Sequence, residues 1–181
     1  MAPKKGRGTG TGTTARLVLG ISGASGAAIG VRVAHALSEA RVPFDLVISH
    51  GARAVLQEEC GIERGALEGL AECAYEDSDL AAPIASGSHP TRGMAIVPCS
   101  SHTVAKIALG LADTLLTRAA HVHLKERRPL VLVPRETPLD AILLRHMSRL
   151  AELGAVLLIA APPYYHRPKS VNDQTDFLAG K

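Results

Sequence analysis

The sequence predicts a doubly wound α/β domain with a mostly parallel sheet, and two observations favour this fold class. Five short apolar runs recur along the chain, and each is followed by a segment with helical periodicity. Polar residues do not alternate within the runs, as expected for strands that are buried on both faces of a sheet. In such a fold the ligands lie at the carboxyl ends of the strands, so the loops after the strands are the candidate sites.

Strands and helices alternate along the chain from residue 17 onward. The first apolar run, Leu17-Val18-Leu19, leads into a glycine-rich turn, and helical periodicity begins directly after it. Residues 65–87 show a weaker pattern, for which we predict a short helix and a long loop. The predicted strands are residues 17–21, 44–49, 94–98, 130–134 and 155–160, and the predicted helices are residues 27–40, 52–60, 103–111, 114–127 and 139–153.

Composition divides the chain into a short arm and one domain. Residues 1–15 are rich in glycine and basic side chains, and we predict that they form a disordered arm. Residues 16–181 then form a single domain, because 46% hydrophobic residues suffice to bury one core. The net charge of +3 includes Lys4, Lys5, Arg7 and Arg16, so the remaining chain is near neutral and gives no reason to expect a nucleic-acid partner.

The sequence predicts neither a membrane helix nor a disulfide framework. Its apolar runs are far shorter than the ~20 residues that a membrane-spanning helix needs, and no apolar stretch typical of a secretory signal is present. The three cysteines, Cys60, Cys73 and Cys99, are odd in number and widely spaced. This usage favours free thiols in the reducing cytoplasm.

The turn after the first strand contains Gly20, Gly23 and Gly26, and Ser22 and Ser25 add two hydroxyl groups to it. A glycine-rich turn at a helix N-terminus brings backbone N–H groups and the helix dipole to one point, which favours a phosphate. The G-x-x-G-x-x-G spacing matches neither the dinucleotide fingerprint nor the P-loop. The turn alone therefore leaves open a nucleotide-like ligand or a tight turn without a ligand.

Polar side chains collect at the ends of the predicted strands, which meet at one edge of a parallel sheet. Loops rich in serine, threonine and glycine offer neutral donors to a phosphate and to the polar edge of a heterocycle. No acidic residue directly ends the second strand to hold a ribose, which argues against NAD. These loops comprise residues 22–25, 49–50, 85–88, 98–103, 134–138 and 162–168.

Five sequence segments occur in the order and spacing of a known family: GISGASGAAIGVR, PCSSHT, LLTRAAHVHLKERRPLVLVPRETPL, LGAV and YYHRPKS. From about residue 17 to residue 181 the sequence resembles the flavin prenyltransferases, which make prenylated FMN for partner decarboxylases. The resemblance implies a flavodoxin-like Rossmann three-layer sandwich, assembled into a homododecamer with the flavin bound between subunits. It also implies transfer of a dimethylallyl group from dimethylallyl phosphate to N5 and C6 of reduced FMN, without a metal.

The resemblance assigns the flavin site residue by residue. It implies that Gly23, Ala24 and Ser25 hold FMN at the first turn, and that Arg135 binds the flavin phosphate or ring edge. The other FMN-binding residues that it implies are Ser49, Ser100, Ser101, His102 and Thr103. The family often has a small or basic residue at position 102, so we expect the flavin contact there to run through the backbone.

The resemblance likewise assigns the prenyl donor site. Cations must stabilise the phosphate that leaves when the allylic C–O bond breaks, and a dry pocket must protect the allylic cation from water. The implied catalytic residues are Ser25, Glu59, Lys125 and Glu136, and the implied donor-binding residues are Ser86, Gly87, Arg118, Lys125, Tyr165 and Lys181. The family continues past this last position along a helix that covers a neighbouring active site, so we expect the phosphate site to look incomplete at this end.

Several of these residues also have a simpler interpretation. Lys125 lies in the charged run LKERRP, which at a helix end is more often a solvated face than a site. Arg135 and Glu136 follow a strand and could form only an ion pair that caps the next helix. Cys99 follows a buried strand and is interpreted as a small apolar residue, not as a nucleophile.

Three functions remain open at the level of sequence. The favoured one is a flavin prenyltransferase that acts on reduced FMN and dimethylallyl phosphate. The second is an FMN-dependent cysteine-type decarboxylase of the same fold, which the stretch PCSSHT and the absence of tryptophan count against. The third is a non-catalytic flavin-binding subunit, which need not keep Lys125, Arg135, Glu136 and Tyr165 together. We predict FMN in preference to FAD or NAD, and a homo-oligomer that buries apolar helix faces.

Overall fold

The computed structural model describes residues 15–181, so the predicted arm at residues 1–15 lies outside this range except for its last residue. Within the range, one sheet contains six strands: β1 (Arg16–Ile21), β2 (Phe44–Ile48), β3 (Cys73–Glu76), β4 (Thr91–Cys99), β5 (Leu130–Pro134) and β6 (Val156–Leu157). Their order is β3-β2-β1-β4-β5-β6, and every neighbouring pair is parallel. The order reverses between β1 and β4, which confirms the predicted doubly wound α/β fold.

Helices cover both faces of the sheet. Over residues 15–181 they are α1 (Ala27–Glu39), α2 (His50–Cys60), α3 (Arg64–Glu68), α4 (Ser101–Leu109), α5 (Leu115–Lys125), α6 (Ala141–Glu152) and α7 (Val171–Ala179). One hydrophobic core contains buried residues of α1, α2, α3 and α7, and the other contains those of α4, α5 and α6. The adjacent residues Val18 and Leu19 belong to different cores, because side chains of a strand alternate between the two faces. The result is a three-layer sandwich. None of the helices in this range is long and apolar enough to cross a membrane.

Polar N-cap residues start two of the helices that follow strands. The side chain of Ser49 accepts a hydrogen bond from the N–H of Ala52 at the start of α2, and Ser100 accepts one from Thr103 at the start of α4. Because β2 and β4 end directly before these caps, both helix N-termini lie at the carboxyl edge of the sheet. Their free N–H groups and helix dipoles make this edge electropositive.

Three elements differ from the sequence prediction. β3 lies where a short helix and a long loop are predicted; it is a four-residue edge strand whose side chains alternate between partly buried and exposed. α7 is absent from the prediction because Leu178 is its one buried residue, which leaves little apolar periodicity. The last strand has two residues instead of six. Beyond it, Leu158 and Ala160 still donate backbone hydrogen bonds to β5, but without regular strand geometry.

Candidate active site

A cavity of about 380 Å³ opens at the carboxyl edge of the sheet, next to the point where the strand order reverses. A crevice at this point is the usual ligand site of a doubly wound sheet. The cavity brings together six residues predicted to bind flavin, from three separate loops: Gly23, Ser49, Ser100, Ser101, His102 and Thr103. Its lining also contains residues that the sequence reasoning missed: His50, Gly51, Asp77, Lys106, Thr114, Leu116 and Thr117.

Ser22 connects the first turn to the start of α4. Its buried hydroxyl donates to the carbonyl oxygen of Pro98 at 3.0 Å and accepts from the N–H of Ser100 at 2.7 Å. Ser100 Oγ in turn lies 2.9 Å from Thr103 Oγ1 and accepts from the N–H of Thr103 at 3.2 Å. These bonds fix the N-terminus of α4 beside the glycine turn, where an anionic group of a ligand is favoured.

Some of the missed lining residues carry a sequence signal. Thr114 and Thr117 form a capping box at the start of α5, and their T-x-x-T spacing resembles the pattern of such boxes. Lys106 lies one helical turn after His102 and therefore on the same face of the helix. If His102 lines a cavity, Lys106 is expected to line it as well. Asp77 accepts a backbone hydrogen bond at the start of α5 and directly follows β3, the strand that the sequence did not predict.

A second group of predicted residues surrounds the N-terminus of α1. The Glu59 carboxylate accepts from the N–H groups of Gly26 and Ala27 at 2.9 and 3.0 Å, and Arg135 Nε donates to the carbonyl oxygen of Ser25 at 3.2 Å. Burial alone would raise the pKa of Glu59. Hydrogen bonds from the Ser25 side chain and the two N–H groups, with the charge of Arg135, outweigh burial and lower the pKa of Glu59 overall. Glu59 is therefore ionised at neutral pH.

The start of α1, at the end of the first glycine turn, does not offer the N–H groups of Gly26 and Ala27 to a phosphate, as the sequence pattern had suggested for this helix N-terminus. Gly26 is the N-cap of α1 with a left-handed φ of 94° and no side-chain cap. The Glu59 carboxylate takes that role and occupies the N–H groups that a phosphate would use. The helix N-termini that line the cavity are those of α2, α4 and α5, and a phosphate fits there.

A third group lies at the opposite, amino edge of the sheet. Lys125 is the last residue of α5, and its Nζ donates to Glu126 Oε1 at 2.6 Å. Gly87 packs so closely that a Cβ there would lie 2.9 Å from the Lys125 ammonium. Arg128, which the sequence reasoning missed, donates to the carbonyl oxygens of Gly87 and His89 at 2.6 and 2.7 Å. Arg128 therefore holds the Gly87 loop against the end of α5.

Arg118 lies on α5, and Ser86 lies in the loop beside this helix. Arg118 Nε donates to the carbonyl oxygen of Ala85 at 3.3 Å, and Ser86 Oγ lies 2.8 Å from Ser88 Oγ. The structure thus brings four of the predicted donor-binding residues onto α5 and the loop beside it: Ser86, Gly87, Arg118 and Lys125.

Lys125 is far from the cavity of its own chain. α5 begins at the carboxyl edge, where the N–H of Leu115 donates to the carbonyl oxygen of Asp77 at 2.7 Å. The helix has 11 residues and ends at Lys125, so it carries that residue about 16 Å toward the amino edge. A small substrate cannot contact Lys125 and the flavin loops of one chain at once.

The remaining predicted residues lie on other parts of the surface. Tyr165 is exposed and contacts Phe177 edge to face with ring centroids 6.1 Å apart, and Lys181 Nζ lies 5.2 Å from the centre of the same ring. This group adjoins α7, which packs on α1, on the sheet face opposite α5. Glu136 is exposed directly after β5, and its carboxylate accepts the N–H of Thr137 at 3.1 Å.

Cys99, at the end of β4, is not placed as a nucleophile. It is fully buried, and burial raises the pKa of its thiol well above the usual range, in agreement with its interpretation as a small apolar residue. No three histidine, cysteine or acidic side chains in the described range are grouped as metal ligands.

Comparison with known proteins identifies relatives of this chain over most of its length. The profile of the Flavoprotein family matches residues 7–175. The flavin prenyltransferase UbiX of Methanothermobacter thermautotrophicus is 48% identical over 165 residues, which cover 91% of this chain and 86% of that protein. The crystal structure of AnUbiX (PadA1) in complex with FMN and dimethylallyl pyrophosphate has a TM-score of 0.90 and 40% identity, over 93% of this chain and 89% of that one. A dodecameric FMN-dependent UbiX-like decarboxylase from Escherichia coli O157:H7 has a TM-score of 0.89 and 40% identity, over 91% and 90% of the two chains.

The fold and the cavity thus define a flavoprotein of the doubly wound α/β class. The peptidyl-cysteine decarboxylase EpiD, at 17% identity and a TM-score of 0.63, shares the fold alone. The identities of 46–48% are with flavin prenyltransferases. The chain belongs to the flavin prenyltransferase family.

Proposed function

We propose that the protein transfers a dimethylallyl group from dimethylallyl phosphate to N5 and C6 of reduced FMN. Two observations together carry this proposal. Six of the nine residues implied to bind flavin line one cavity, and a crystal structure of 40% identity and TM-score 0.90 contains FMN and dimethylallyl pyrophosphate. The product, prenylated FMN, is used by a partner decarboxylase.

The cavity fits FMN better than a dinucleotide. The N-termini of α2 and α4 suit one phosphate ester, and the serine and threonine hydroxyls around them are uncharged donors for the ribityl chain. Reduced FMN supplies the nucleophilic ring atoms when it is bound. The protein positions the flavin. Arg135, which is held against the Ser25 carbonyl, lies where it can contact the flavin ring edge or the flavin phosphate.

Lys125 and Arg118 bind the departing phosphate. When the allylic C–O bond breaks, the phosphate keeps the electron pair, and cations already in place stabilise the growing negative charge. Since Lys125 lies about 16 Å from the flavin loops along α5, a working site takes Lys125 from one subunit and the flavin loops from another. Tyr165 and Lys181 complete the phosphate contacts.

Glu59, Glu136 and Ser25 handle protons beside the flavin. The bond to N5 replaces the C–O bond and releases the N5 proton. The bond to C6 uses the C=C bond of the prenyl group, so C6 loses one proton while the other alkene carbon gains one; the Glu59 carboxylate, hydrogen bonded to the Ser25 side chain, relays this proton. Glu136 is exposed after β5 at the same edge of the sheet, where a second carboxylate can pass the N5 proton to the leaving phosphate.

The assembly and the compartment are proposed on separate grounds. We propose a homododecamer, supported by the dodecameric structure from Escherichia coli O157:H7. We assign the protein to the cytoplasm because Cys60, Cys73 and Cys99 are all free thiols. Neither a metal ion nor a nucleic acid takes part in the proposed reaction.

Mass spectrometry of the flavin tests the function. Purified protein is incubated without oxygen with reduced FMN and either dimethylallyl phosphate or dimethylallyl diphosphate, and the flavin is then extracted. We expect the flavin to gain one C5H8 unit with at least one of the two donors and to remain FMN without a donor. Unmodified FMN with both donors, while a peptide with a C-terminal cysteine loses carbon dioxide, would show a cysteine decarboxylase instead.

A further inference from the structure

Lys106 is a cation in the cavity that no assigned role explains. It lies on α4, one turn after His102, and its side chain is 20% exposed. Its ammonium donates to both carboxylate oxygens of Asp113, at 2.9 and 2.7 Å. Among the described residues that line the cavity, Lys106 is the only lysine or arginine. The serine and threonine caps around it carry no charge.

The ion pair fixes Lys106 without consuming all of its donors. The Asp113 side chain is 60% exposed, and it borders a neighbouring surface pocket instead of this cavity. A lysine ammonium has three N–H donors, and two are used by Asp113. The third is free to bind an oxygen anion at the N-terminus of α4, only one turn away. Asp113 therefore holds the charge of Lys106 at the cavity wall.

We propose that Lys106 binds the phosphate group of FMN and makes the cavity selective for the phosphorylated flavin over riboflavin. A dianionic phosphate at the N-termini of α2 and α4 needs a compensating charge, and this side chain is the one placed to supply it. The inference rests on the proposed function, because it takes FMN as the ligand of the cavity. It adds a residue that lies outside the flavin contacts implied by the resemblance.

Binding of two flavins that differ only in the phosphate tests this role. Dissociation constants of oxidised FMN and riboflavin are measured by flavin fluorescence for the full chain and for Lys106→Gln. We expect the variant to bind FMN about tenfold more weakly, the loss of one charged hydrogen bond, and riboflavin within about twofold of wild type. Lys106→Arg, which keeps the charge, should recover most of the FMN affinity.

Asp113→Asn is the matched control, because it breaks the same ion pair but keeps the cation. We expect it to retain the preference for FMN over riboflavin. If both variants lose affinity for both flavins equally, the pair only braces α4 and the proposal is wrong. Unchanged FMN affinity in folded Lys106→Gln also overturns it. Wild-type protein that binds neither flavin refutes the proposed function together with this assignment, whereas equal affinity of wild type for the two flavins refutes this assignment alone.

Discussion

The surroundings of His123, a buried residue of α5, determine its protonation state. Nδ1 lies 2.7 Å from the carbonyl oxygen of Ala119, which can only accept, so Nδ1 carries the proton. Nε2 then accepts from the Thr91 hydroxyl at 2.8 Å. Burial lowers the pKa of His123 below its usual value. The fold therefore stabilises the neutral imidazole.

Stability should depend on pH through this histidine. Below about pH 6.5 the unfolded chain binds a proton that folded His123 does not yet accept, so the free energy of unfolding falls as pH decreases toward the lowered pKa. In urea titrations between about pH 7 and about pH 5, His123→Val should show a smaller fall than wild type. His35→Gln removes an exposed imidazole and is the control. Equal flattening in both variants would contradict the assignment.

Lys125 and Arg135 should separate catalysis from flavin binding. Lys125→Met removes a cation from the leaving phosphate, which we expect to cost about 3–4 kcal/mol of transition-state stabilisation, or on the order of a hundredfold or more in rate. FMN should remain bound, because Lys125 lies away from the cavity. The rate is followed by the prenylated flavin formed in single-turnover reactions.

Arg135→Ala is the complementary variant. Arg135 lies against the Ser25 carbonyl beside the first turn, so its loss should weaken FMN binding itself, measured by flavin fluorescence. The opposite pattern, with FMN lost in Lys125→Met and only rate lost in the Arg135 variant, would mean that the two phosphate assignments are exchanged. If neither variant changes the rate or the FMN affinity, both residues belong to a solvated surface and have no role in the site.

Among the elements, α1 depends most directly on a missing side chain. A Cβ at Gly30 would overlap the carbonyl oxygen of Val97 on β4, a backbone atom with little freedom to move. Alanine favours a helix by about 1 kcal/mol, but overpacking costs about 1–3 kcal/mol. We therefore expect Gly30→Ala to lower the free energy of unfolding by up to about 2 kcal/mol in urea denaturation.

The matched control for Gly30 is Gly65→Ala on α3. A Cβ at Gly65 would meet nothing within 4 Å, so only the helix preference of alanine acts, and stability should stay the same or rise by up to about 1 kcal/mol. If Gly30→Ala is as stable as Gly65→Ala, then α1 can shift away from β4 and the close approach is not required.

The elements that the sequence predicted are those that bury an apolar face. β1, β2 and β5 are continuous buried runs, and the alternation of such runs with helices was enough to predict a doubly wound sheet. The sequence did not predict β3 and α7, because β3 is held by pairing with β2 and α7 by its capping box, both at the edge of the molecule. Their sequences carry little apolar periodicity, and a capping box at Ser170 and Asp173 does not by itself establish a helix.

The candidate site was predictable to the same extent. Loops after parallel strands must meet at one edge, so Gly23, Ser49 and Ser100 could be grouped from sequence alone. The capping of α1 by Glu59 could not be predicted from sequence, because it depends on how closely α2 approaches α1. The spacing of Lys106 from His102 becomes a signal only once His102 is placed at the cavity, because packing against α5 and α6 decides which face of α4 borders it.

At the scale of the whole molecule, residues 15–181 leave several large hydrophobic side chains exposed. Large hydrophobic side chains are exposed at the end of α4, along α6 and on the edge strand β6: Leu109, Leu111, Ile142, Leu144, Leu153 and Val156. Such surfaces indicate contacts between copies of the chain. Within the proposed dodecamer, these side chains are candidates for the contacts between subunits.

Subunit mixing tests whether each active site is shared between two chains. Lys125→Met damages the donor half of a site, and Arg135→Ala damages the flavin half; each variant alone should be nearly inactive. If the two halves come from different subunits, random assembly of equal amounts of both variants leaves about a quarter of the sites with two intact halves. Co-expressed variants should then regain up to about that fraction of wild-type prenyl transfer. Light scattering verifies that the mixed assembly has the mass of the wild-type oligomer. If every site lay within one chain, each would carry one lesion or the other, so an assembled but inactive mixture would rule out a shared site.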